Sequence, residues 1–169
     1  MHRRPGPLPH AELILATTRL RKETAGDQAF LRRLFILNRW ETFAALPETQ
    51  RRALLSDQFQ LQDDHFRTFF PDTDRRIVMC EGKPIGRLYV QRLEAVHNLI
   101  DISLLPDWTG RGIGSKLLDD MLAQADKARV PVTLHAAINN RAHSLYQRKG
   151  FLEIRLDGAD WFMERPAAS

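Results

Sequence analysis

Residues 109–118 read TGRGIGSKLL, with glycines at 110, 112 and 114 alternating around Arg111 and Ile113 before an amphipathic run. Glycine lets a backbone approach a partner without a Cβ in the way. The first N–H groups of a helix have no intrahelical acceptor, and the helix dipole is positive at that end. A glycine-rich turn that feeds a helix is therefore an anion site, and a diphosphate can span several of its amides. Two common nucleotide motifs fail on spacing. A dinucleotide fingerprint counted from Gly110 reaches Gly112 and then Ser115 where a third glycine is required, and a P-loop needs Gly-Lys-Ser/Thr where the chain has Gly114-Ser115-Lys116. Helix packing alone would account for one or two glycines more readily than for three.

Other residues that could do chemistry lie nearby. Asp101 interrupts the apolar run LIDISLL, and a carboxylate there needs a partner or a wet cleft. His97 and Asn98 precede it on the same run. His135, in TLHAAI, reads as a packed strand histidine, and Tyr146 beside Leu145 reads from its pattern alone as an amphipathic core tyrosine. Asp63, Asp64, His65 and Glu41 form a polar patch that suits a cationic amine or, equally, a solvated helix face. Trp40, Phe43 and Trp161 are pocket-wall candidates whose alternative is the core. The single cysteine, Cys80, excludes an internal disulfide framework and a cysteine-based zinc cluster, and RRIVMC reads as a buried strand.

The elements that must position these groups follow from periodicity. Residues 1–12, rich in proline, read as a flexible extension, and one domain is expected over 13–166. LILATTRLRK reads as a first strand. Asp27 is placed as the N-cap of a helix with Phe30, Leu31, Leu34, Phe35 and Asn38 on one face. A second helix starts near Pro47 and ends before Pro71. RRIVMC, a turn at Gly82, IGRLYVQRL and HNLIDISLLP form an antiparallel meander. Leu117, Leu118, Met121, Leu122 and Ala125 form the buried face of the helix after the glycines. A strand PVTLHAAI, a short helix ending at Gly150 and a final hairpin turning at Asp157-Gly158 complete the chain.

With these elements in place, LLPDWTGRGIGSKLL resembles the acetyl-CoA signature of the GNAT N-acetyltransferase family, Q/R-x-x-G-x-G/A, with Gly112 and Gly114 at its small positions. NNRAHSLYQRKGF is similar to the family's second motif, matching at Asn139, Ala142, Leu145, Tyr146, Gly150 and Phe151. Thr109 stands where the first motif has Gln or Arg. The resemblance covers about Ile77 to Glu164 and reaches the first two helices by position only. It implies an α/β (α+β) fold: a mixed, mostly antiparallel sheet of about seven strands, splayed between the fourth and fifth, with about four helices.

The resemblance also implies the chemistry. Acetyl-CoA would be the co-substrate, its diphosphate on Thr109, Gly110, Arg111, Gly112, Ile113, Gly114 and Ser115, with Asn139 and Tyr146 completing the cofactor contacts. Pantetheine would lie between the splayed strands against Leu104 and Leu105. Tyr146 would protonate the leaving sulfur, and Asp101, directly or through water, would take the proton of a primary amine attacking within a ternary complex. The acceptor would be a small-molecule or peptide amine.

No metal is implied. The formal charge of +4 permits nucleic acid, but the scattered arginine pairs lack the aromatic interleaving of a strand-binding surface. No membrane partner is expected and a cytoplasmic location is, since no stretch approaches roughly 20 apolar residues and the first residues lack a secretory apolar run. The final hairpin makes a homodimer possible. Two other classes stand beside the enzyme: an acyl-CoA-binding sensor without turnover, and a nucleic-acid-binding protein.

Overall fold

The computed structural model describes residues 10–169. Of the expected extension over 1–12, residues 1–9 lie outside the described residues, and 10–12 open a helix, α1 (His10–Thr17). The expected first strand is correspondingly shorter, β1 (Arg19–Lys22). LILATT places three apolar residues in a row, which alternation does not require. Ile14 buries its side chain, and the Thr17 and Thr18 hydroxyls donate to the Leu13 and Ile14 carbonyls, both at 2.8 Å, closing the helix with local bonds.

The chain continues through α2 (Gln28–Arg39), α3 (Glu48–Phe69), β2 (Thr73–Cys80), β3 (Lys83–Arg92), β4 (His97–Leu104), α4 (Ile113–Ala128), β5 (Val132–Ala137), α5 (His143–Arg148), β6 (Leu152–Asp157) and β7 (Asp160–Arg165). The seven strands form one sheet in the order β1-β2-β3-β4-β5-β7-β6. Neighbours are antiparallel except β4 and β5. This is the expected seven-stranded mixed sheet with one more helix, α1, than the pattern suggested.

Asp27 precedes α2 but does not cap it. Its carboxylate accepts from Arg21 (2.7 and 2.8 Å) and from the Thr24 amide (2.8 Å), ahead of the helix. The Arg21 guanidinium is the main cause, with the Thr24 amide helping, of a carboxyl lowered to about 2. A bidentate guanidinium is a stronger partner than a single helix amide.

Two cores flank the sheet. On one face α4 buries Ile113, Leu117, Leu118, Met121, Leu122 and Ala125 against Val78, Val90, Leu99, Val132 and Leu134, with Ile14 of α1 and Tyr146 and Phe151 in the same cluster. Full burial of each large aliphatic in that face contributes about 1.5–3 kcal/mol. On the other face α2 and α3 enclose Leu31, Phe35, Leu55 and Phe59 over Ile77. Cys80 is buried, as its strand pattern predicted.

The meander holds one tight contact. Gly86 on β3 pairs with Leu104 on β4, and a Cβ at Gly86 would overlap the Ser103 carbonyl oxygen and lie 2.7 Å from Leu104 Cδ2. Both obstacles belong to the strand whose far edge forms the site described next. Gly86→Ala is expected to destabilise the fold by about 1–3 kcal/mol, the usual cost of overpacking. Urea denaturation checks this, and an unchanged midpoint would mean that β4 shifts freely.

Candidate active site

β4 and β5 pair in parallel for three residues only, His97–Leu99 with Val132–Leu134, although β4 runs on to Leu104 and β5 to Ala137. Beyond Leu99 the strands separate into a V. Its closed end is clamped by side chains: Asn98 donates to Gln91 (2.7 Å) and accepts from the Thr133 hydroxyl. At the point of separation β4 carries a bulge. Tyr89 pairs with Asp101 and Val90 with Leu99, so Ile100 is the extra residue.

The bulge decides which backbone groups face the V. Leu105 donates its N–H to the Ile85 carbonyl at 2.8 Å, so it is hydrogen-bonded to β3. Alternate residues of an antiparallel strand face opposite edges, which turns Leu104 and Ile102 toward the V. The Leu104 carbonyl accepts from Asn38 Nδ2 at 3.0 Å, which holds the end of α2 against this edge.

The V leads into the glycine loop. Gly110 and Gly112 have φ of 71° and 82°, where an L side chain is strained. Gly112 is the residue before α4, and its carbonyl accepts the first helical bond, from Lys116 N at 3.0 Å. The Ile113, Gly114 and Ser115 amides therefore stand at the free N-terminus with no intrahelical acceptor. A Cβ at Gly114 would touch only Leu104 Cδ1, at 4.0 Å, so the approach to these amides is open. The Arg111 guanidinium lies over the Trp108 ring, 5.0 Å from its centroid, and keeps a cation beside the loop.

Tyr146 comes from α5 on the far side of the V. A C-terminal Schellman turn fixes it: Phe151 N donates to Tyr146 O and Gly150 N to Gln147 O, each at 3.0 Å, with Gly150 at φ 93°. The turn folds Phe151 back edge-on against the Tyr146 ring at 5.8 Å. Burial, then the negative charge of Asp101, push the Tyr146 hydroxyl pKa well above its usual value. The phenol is held protonated.

Asp101 faces the opposite side of the sheet from α4. Its Oδ2 accepts from Arg87 Nε at 2.7 Å and from Ser103 Oγ at 2.8 Å. Arg87 is 2% exposed and also donates to Gln62 Oε1 of α3 at 2.6 Å. The carboxylate is thus the partly exposed half of an ion pair whose guanidinium is buried between β3 and β4.

Residues 72–153 match the family model of the acetyltransferase (GNAT) domain. The chain carries a GNAT acetyltransferase domain. The fold extends beyond the matched stretch. PaiA N-acetyltransferase from Thermoplasma acidophilum, solved with coenzyme A, superposes with a TM-score of 0.67 at 20% identity, over 88% of this chain and 98% of that one. An acetyltransferase from Thermus thermophilus gives 0.64 at 20% identity over 90% and 98%. A GNAT family acetyltransferase from Elizabethkingia anophelis, with acetyl-CoA bound, gives 0.60 at 11% identity over 89% and 98%. No curated protein matches the sequence.

Within this GNAT domain the glycine loop, the Leu104 edge, Tyr146 and Asp101 converge on the V. Other expected contributors lie elsewhere. The Leu105 amide is spent on β3. Thr109 turns both its amide (3.3 Å) and its hydroxyl (2.8 Å) onto the Pro106 carbonyl, closing the short turn before the loop, so neither points to a ligand. Asn139 is exposed after β5, and it is Asn140 whose side chain accepts from the Ala142 amide, at 2.8 Å, before α5.

His97 lies at the closed end of the V, where burial lowers its pKa and keeps it neutral. His135, read as a core residue, is exposed beside Asp157 at 3.2 Å, because it alternates with the buried Leu134 and Ala136. The acidic patch is largely committed: Asp63 is buried against Arg67 (2.9 Å) and Arg75 (3.9 Å), and Asp64 accepts from Gln60. Trp40 lies under Arg51 and Arg52, and Trp161 packs on the main core. Asn38, Gln62, Arg87 and Ser103 border the site without having been singled out as site residues. A signal existed for Arg87, a charge inside the apolar run IGRLYV opposite the run that Asp101 interrupts.

Among the described residues no three His, Cys, Asp or Glu side chains gather as metal ligands, and no helix is long and apolar enough to cross a membrane.

Proposed function

We propose that this protein transfers an acetyl group from acetyl-CoA to a primary amine, by direct attack in a ternary complex. The observation that carries the reading is the continuity of the site: an unpaired strand edge runs from the Ile100 bulge through Leu104 into the free amides of α4, with Tyr146 buried beside it. In this reading the amides of Gly110 to Ser115, with Arg111 beside them, hold the diphosphate. The Ile102 and Leu104 backbone reads the amides of pantetheine as it would read another strand.

The amine nitrogen bonds to the thioester carbonyl carbon, and the carbon–sulfur bond then breaks. The departing thiolate takes the Tyr146 proton. The amine gives up its own proton through water to Asp101, whose two hydrogen bonds both fall on Oδ2.

A panel of amines with acetyl-CoA, read by free-thiol release, tests the reading, alongside thermal shift. Acetyl-CoA at 100 times its dissociation constant should add about 2.7 kcal/mol. Protection without thiol release on any amine would leave the sensor. Salt-sensitive nucleic-acid affinity without protection would remove both.

A homodimer would pair along β6, one of the two edge strands of the sheet, where Leu152, Ile154 and Leu156 are each more than half exposed on alternate positions. Light scattering on the eluted protein is expected to give twice the chain mass, and Ile154→Lys half of that. A monomeric wild type refutes the pairing.

A further inference from the structure

The acceptor side of the site holds a cation that none of its neighbours neutralises. Arg39 ends α2, next to Asn38, whose side chain bonds the Leu104 carbonyl at 3.0 Å. This places the end of the helix at the open V. The Arg39 guanidinium lies 3.8 Å over the Phe35 ring, and Phe35 packs edge-on against Phe59 at 5.8 Å. The side chain is therefore pinned on an aromatic wall and half-buried. Among the described residues no carboxylate forms an ion pair with it. Asp101, the negative charge that it senses, already bonds Arg87 at 2.7 Å. Arg39, Arg87 and Asp101 leave one positive charge in excess at the cleft.

A partly desolvated guanidinium without a counter-ion is costly, and an incoming anion relieves that cost. Its planar fork suits a carboxylate in particular. The same excess charge disfavours an ammonium nearby and so helps a bound amine to lose its proton. We propose that Arg39 binds the carboxylate of the acceptor, which is accordingly a small amine that also carries one carboxylate, such as an α-amino acid. The proposal rests on the transferase reading above and adds the acceptor's class to it.

The test uses the full chain, acetyl-CoA and matched acceptors: α-amino acids, their methyl esters, the corresponding amines without a carboxylate, and phosphoethanolamine. In wild type the free acids are expected to exceed their esters in kcat/KM by about tenfold to a hundredfold, the range of a charge-assisted hydrogen bond. Arg39→Gln removes that preference without raising the KM for acetyl-CoA, and Arg39→Lys keeps part of it. A purely structural role would lower acids and esters alike.

Equal rates on acids and esters, a preference for phosphoethanolamine, or a raised KM for acetyl-CoA in Arg39→Gln overturns the assignment and leaves the transferase standing. Protection by acetyl-CoA with no transfer to any acceptor removes the transferase reading first, and the acceptor class with it.

Discussion

Gly114→Glu is expected to leave the free protein as stable as wild type, or to raise its melting temperature by about 2–4 °C, and to abolish its protection by acetyl-CoA. The two effects come from one position. Gly114 is a helical residue of the first turn of α4, with only Leu104 Cδ1 near a built Cβ, at 4.0 Å. Replacing glycine there relieves about 0.8–1 kcal/mol of helix propensity, and an acidic group in the first turn adds about 0.3–1 kcal/mol through the dipole.

The same carboxylate stands where a diphosphate would accept from the Ile113, Gly114 and Ser115 amides. Like charges about 4 Å apart near a protein surface repel by about 4 kcal/mol, so affinity should fall at least about a hundredfold. Thermal shift with and without acetyl-CoA reads both arms. A variant still protected as well as wild type would move the diphosphate away from this loop.

Tyr146→Phe is expected to lower kcat by on the order of 10² with the KM for acetyl-CoA unchanged, since only the proton donor is lost. The ring stays, and with it the packing on Phe151. The pH profile carries the sign. Burial, then Asp101, raise the Tyr146 pKa, and an acid acts below its pKa. Wild-type kcat should therefore show no loss from tyrosine ionisation at the alkaline end of the assay range. The rising limb belongs to the amine, whose unperturbed pKa is roughly 10.4 when it is lysine-like and lower for an α-amino group. Steady-state kinetics from neutral pH upward check this. An unchanged kcat in Tyr146→Phe would take the acid role from this residue, and an alkaline fall that the variant lacks would mean that its pKa is not raised.

Much of the frame was legible because the relevant forces are local. The short apolar runs in RRIVMC and IGRLYV, the turn at Gly82 and the face Leu117, Leu118, Met121, Leu122 and Ala125 each follow from local sequence pattern, and each stands in the fold as read. The glycines of the loop were legible because positive φ at Gly110 and Gly112 is a demand that only glycine meets cheaply.

What the sequence hid depends on pairing across distance. LILATT becomes a helix through two threonine hydroxyls and one buried isoleucine, against a weak strand alternation. Asp27 looks like a cap, but Arg21, six residues earlier, reaches it with both terminal guanidinium nitrogens. Leu104 and Leu105 look equivalent until the bulge at Ile100 sets which of them faces the V. Arg39 resembles the solvated arginines elsewhere in the chain, and only the crossing of α2, α3 and β4 brings it to one cleft with Arg87.

The most direct test of the account is a crystal structure of the protein soaked with acetyl-CoA. The account predicts diphosphate density within hydrogen-bonding distance of the Gly112 to Ser115 amides, pantetheine along the Leu104 edge, and sulfur beside the Tyr146 hydroxyl. An empty loop with the coenzyme bound elsewhere, or a V closed by side chains, would contradict it.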